Sequence, residues 1–61
     1  MNKADITIGH LEHFETLEEA INAIHNPAKH FGYNLTLNER TYCIAYVKVL
    51  FALRKERGEY E

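Results

Sequence analysis

A chain of 61 residues with a formal net charge of −2 holds at most one domain, spanning 1–61, and a domain of that size buries only about 60% of the surface its unfolded form exposes. The near-neutral charge removes bulk attraction to nucleic acid or anionic membrane, and an apolar fraction of 46% removes intrinsic disorder. Cys43 is the only cysteine, so an internal disulfide is excluded, a reducing or an indifferent compartment is expected with the cytoplasm as the default, and self-association is the route left to a marginal core.

Met1 to Asp5 is polar and leads into no apolar segment of the signal-peptide kind, so no export sequence is expected. Asp5, Ile6, Thr7 and Ile8 alternate polar and apolar with three β-branched residues, which predicts a short half-buried strand over 5–8 ended or bulged by Gly9. No second strand is evident. The backbone groups of this one need partners, and the same strand of a second copy, antiparallel across a twofold axis, would supply them.

Thr16 followed by Glu19 reads as a capping box, so a helix is expected over about 17–25 with Leu17, Ala20, Ile21 and Ile24 as its apolar stripe. Pro27 stops it. Residues 26–36 are expected to form a structured loop anchored by Phe31, Tyr33 and Leu35. Thr36 and Glu39 repeat the capping pattern, with Asn38 as the alternative cap, and open a long helix to about Arg57, ended by Arg54, Lys55 and Arg57 at the negative dipole terminus and by Gly58 as a left-handed cap. The tail Glu59, Tyr60 and Glu61 is expected to fray.

The long helix is the most informative element. Thr41, Ala45, Lys48, Ala52 and Lys55 form one narrow row fit for water, while the remaining circumference is apolar, and a helix of that kind must be buried nearly all round. Its apolar run is broken by Lys48 and falls short of the roughly 20 residues that span a bilayer. The expected fold is therefore α+β, mostly α: a short strand and two helices in an intertwined, obligate homodimer. Ile6, Ile8, Tyr42, Tyr46, Val49, Leu50 and Leu53 are the candidates for the dimer interface or for an apolar groove beside it.

Chemistry-bearing residues are sparse. His10, His13, His25 and His30 could meet a zinc ion with Cys43, but their spacing lacks the paired ligands of a structural site. Cys43 between Tyr42 and Ile44 reads as a small buried hydrophobe rather than a nucleophile. Glu12, Glu15, Glu18 and Glu19 cluster at a helix entrance, where the dipole favours acids, and the cations Arg40, Lys48, Arg54, Lys55 and Arg57 are diluted by Glu56 and Glu59. Tyr33, Tyr42, Tyr46 and Tyr60 are of the type enriched at binding surfaces. No catalytic, cofactor or metal site is expected, and the chain is read as a non-enzyme.

The order strand, helix, loop, helix, with Gly32 followed by Asn34 before the last helix, resembles the ribbon-helix-helix repressors, which implies a two-stranded ribbon in the DNA major groove. Asp5 and Thr7 stand where that ribbon presents basic or amide side chains, so DNA regulation is the alternative reading and nucleic acid the disfavoured partner. The segments TLEEAINAIH and TYCIAYVKVLFALRKE resemble the small early proteins that lambdoid phages encode between their exonuclease and excisionase genes. That resemblance implies a dimer of one strand and two helices, expressed early in the host cytoplasm, that promotes lytic development through a host protein. The preferred reading is an interaction module whose groove takes such a partner or an amphipathic helix.

Overall fold

The computed structural model describes residues 3–58. In it the chain forms α1 (Lys3–Leu11), α2 (Leu17–His25), α3 (Pro27–Phe31) and α4 (Leu37–Glu56), with no strand among the described residues. The fraying expected of Glu59, Tyr60 and Glu61 concerns residues outside those described.

The N-terminal strand expected over 5–8 is corrected: Asp5, Ile6, Thr7 and Ile8 lie inside α1. Four alternating residues fit either period, and the neighbours decide. Ala4, Thr7 and Leu11 repeat at three and four residues and are all buried, a helical stripe that a strand would split between two faces. Thr7 adapts to the helix by donating its hydroxyl to the Lys3 carbonyl one turn back, at 2.6 Å. With the backbone groups of this segment bonded within a helix, the need for a strand partner disappears. The α+β class and the dimer intertwined through paired strands give way to an all-α fold, and the ribbon on which the ribbon-helix-helix resemblance rested goes with them.

Local chemistry sets the other boundaries. Thr16 caps α2 by accepting from the Glu19 N–H at 3.2 Å. Pro27 both stops α2 and occupies the first turn of α3, where its missing N–H costs nothing. The expected loop over 26–36 thus contains a short helix, closed by Gly32, whose φ of 84° supplies the left-handed cap and whose N–H donates to the Ala28 carbonyl at 3.1 Å. Thr36 and Glu39 complete both bonds of a capping box at the start of α4. At its far end the Arg57 N–H reaches the Leu53 carbonyl, and Gly58 turns away at φ 77°.

At about 1.5 Å per residue α4 is close to 30 Å long, matching the 32 Å long dimension of the molecule. α1 and α2 both pack on it, and α3 packs on α2. Leu11, Ala20, Ile24, Cys43, Val47 and Phe51 form the centre of the core, with Phe14, Leu17, Phe31 and Tyr46 half-buried around it. One chain therefore assembles a core of its own. No helix among the described residues is long and apolar enough to cross a membrane.

Candidate interaction face

The side of α4 toward α1 and α2 is the row Cys43, Val47, Phe51, spaced four residues apart and buried. Such a row drifts little around a helix, so residues one and two positions away from it point elsewhere. Tyr42, Tyr46, Val49 and Leu53, spaced four, three and four, make a second row about 130° round the helix from the first. Of these, Tyr42 is 55% exposed, Val49 60% and Leu53 46%, while Tyr46 is half-buried. The outer arc also holds Thr41, Ala45, Lys48, Ala52 and Lys55, all exposed. Water thus meets a wider arc than the narrow polar row, and three large apolar side chains stand in it.

The seven residues singled out from the sequence fall into three groups. Tyr42, Tyr46, Val49 and Leu53 come together on α4. Ile8 and Leu50 are half-buried and pack against the core. Ile6 is 41% exposed but belongs to α1, on the side away from its buried row. Leu37, 75% exposed in the first turn of α4, was not anticipated; its place directly after a capping threonine was the available signal.

The edges of the face are charged unevenly. At the N-terminal end of α4, Asp5 and Glu39 border an open recess of about 390 Å³ with Ala4, Asn38 and Tyr42. Midway, the Tyr46 hydroxyl donates to the Glu12 carboxylate at 2.9 Å. That bond holds the phenol protonated and raises its pKa, with burial and the Glu12 and Tyr42 charges adding to the rise and Arg54 opposing it. Toward the C-terminal end, Arg54 donates to the Phe14 carbonyl at 2.9 Å and to that of Glu12, its guanidinium 4.8 Å from the Phe51 ring centre.

The remaining polar residues disperse. An open cleft of about 520 Å³ is lined by His13, Phe14, Glu15, Glu19, Asn22 and His30. His10 stacks on Phe31 at 5.6 Å, His30 lies 6.4 Å from the same ring, and His25 is exposed on α2. Among the described residues no three His, Cys, Asp or Glu side chains converge so as to hold a metal ion. Cys43 is a free, buried thiol whose pKa is raised by burial and, second, by the Glu39 charge, which lowers its nucleophilicity near neutral pH. Comparison with protein-family models, curated proteins and solved structures gives no match.

Proposed function

We propose that this protein is a small non-enzymatic interaction module whose working surface is the Tyr42, Tyr46, Val49, Leu53 row of α4, and that the helix this row takes up is α4 of a second copy. The observation behind this reading is the exposure of three large apolar side chains at coiled-coil spacing, on a helix already anchored by its opposite side. Scattered surface leucines need no explanation. A row of large apolar residues in heptad register does, because it presents knobs with no facing helix to receive them. The resemblance to early phage proteins adds a role: a cytoplasmic accessory that favours lytic development by binding a host factor. A reduced, buried Cys43 fits that compartment.

Light scattering across a dilution series tests the self-association. The expected mass at high concentration is twice the 7.1 kDa of the chain, falling toward one chain on dilution. Val49→Asp and Leu53→Glu, both at exposed positions, should hold the mass at one chain while leaving the far-UV circular dichroism unchanged. A parent protein that stays at the mass of one chain up to about 1 mM, a dissociation free energy weaker than about 4 kcal/mol, would remove the reading.

A further inference from the structure

The row that self-associates in the proposed reading has a direction built into it. Its spacings of four, three and four read the same from either end, so two copies can superpose their rows head to head or head to tail with every position matched. Side-chain volume separates the two arrangements. The bulky Tyr42 and Tyr46 occupy the N-terminal half of the row, and the smaller Val49 and Leu53 the C-terminal half. Parallel pairing would set tyrosine against tyrosine at one end and aliphatic against aliphatic at the other, prising the helices apart into a wedge. Antiparallel pairing sets each tyrosine against an aliphatic residue and keeps the separation even along the seam. Ala45 and Ala52, exposed on one flank, allow the axes to approach at the close end of the usual 8–10 Å range.

Charge chooses the same way. Glu39 and Arg57 lie about five turns apart at 3.6 residues per turn, and so stand on the same flank of the row at its opposite ends. Asp5 adds a second carboxylate at the Glu39 end. In an antiparallel pair about a twofold axis, like flanks face each other and the acidic end of one copy meets the Arg57 end of the other, twice. A parallel pair leaves Glu39 with no cation facing it and puts Arg57 beside Glu56 of the other copy, so the charges favour the antiparallel pair through the Glu39 end alone. The helix dipoles also favour the antiparallel arrangement.

We infer that the partner of α4 is a second α4 in antiparallel orientation, about a twofold axis crossing the helix between Tyr46 and Val49, so that Tyr42 packs against Leu53 of the other copy and Tyr46 against Val49. This rests on the self-association proposed above and fixes its geometry. The experiment uses the full chain with Cys43→Ala, into which Tyr42→Cys or Leu53→Cys is introduced at exposed positions. A disulfide needs Cα atoms within about 7 Å. In the antiparallel pair, positions 42 and 53 of opposite copies meet, whereas equivalent positions lie on the order of 17 Å apart at 1.5 Å per residue. Mild oxidation of a mixture of the two variants should therefore yield a dimer joined 42 to 53, and each variant alone should stay uncrosslinked. Each variant crosslinking to itself, with no mixed product, overturns the orientation and leaves the proposed self-association standing. A dimeric mass with neither product places the contact off this row and overturns both. A mass of one chain throughout, with the parent also monomeric, likewise removes the inference together with its premise.

Discussion

Thr7 shows how one residue decides the start of the fold. Its side chain is fully buried, and its hydroxyl, which carries a single proton, donates to the Lys3 carbonyl. The 2.8 Å contact with the Tyr33 hydroxyl is then a bond in which tyrosine donates. It ties α1 to the segment between α3 and α4 across 26 positions of sequence. Thr7→Val keeps the shape and removes the acceptor, leaving the Tyr33 hydroxyl in a half-buried place without its partner. The expected loss is about 1–2 kcal/mol by urea denaturation. Tyr33→Phe keeps the ring contact with Phe31, at 6.0 Å, so Thr7→Val with Tyr33→Phe should cost less than the two changes added together, by at least ~0.5 kcal/mol. Strict additivity would mean that the bond contributes nothing.

Among elements, what was legible in the sequence is what local chemistry fixes. The ends of α2 and α4 follow from Thr16, Thr36, Glu39, Pro27 and Gly58, each acting within a turn of itself. α1 is not legible because Ile6 and Ile8 carry a four-residue alternation, and the burial of Ala4 and Leu11 against other helices overrides it. α3 leaves no local signal, because Asn26 gives it no side-chain cap bond and Pro27 reads as a stop. The interaction row was only half visible. Cys43, Val47 and Phe51 on one side of α4, and Tyr42, Tyr46, Val49 and Leu53 on another, are both apolar at helical spacing, and only the docking of α1 and α2 tells which is covered. Arg54 fits a last-turn cation by position, yet it binds two carbonyls just past the end of α1, where a helix leaves acceptors unpaired. Arg54→Lys keeps the charge and loses the fork and the stacking on Phe51. It should cost about 1–3 kcal/mol and speed amide exchange across residues 12–16. A variant within ~0.3 kcal/mol of the parent would reduce this clamp to a surface contact.

At the scale of the whole molecule, the balance lies between a core that one chain completes and a row that it leaves open. The obligate dimer expected from the apolar character of α4 assumed burial on nearly every side. Cys43, Val47 and Phe51 take the most apolar side inward within a single chain, so the proposed association would be an addition to a unit already folded. The row from Tyr42 to Leu53 is about 17 Å long and one helix, ~10 Å, wide, well short of the roughly 800 Å² per partner in a standard interface. Such a seam fits a dissociation constant in the micromolar range or weaker. Dimerisation of the proposed kind would stabilise by mass action. At a concentration a hundredfold above the dissociation constant the gain is about 1.5 kcal/mol per chain, near half the value for a separate ligand because each copy serves as the other's ligand. For a domain of this size that is on the order of 5–10 °C in Tm. Calorimetry from about 5 µM to about 1 mM, concentrations that bracket weak association, should show Tm climbing for the parent and flat for Leu53→Glu, the two curves meeting at the dilute end. A parent Tm independent of concentration, and equal to that of Leu53→Glu throughout, would mean that the open row contributes nothing to holding two copies together.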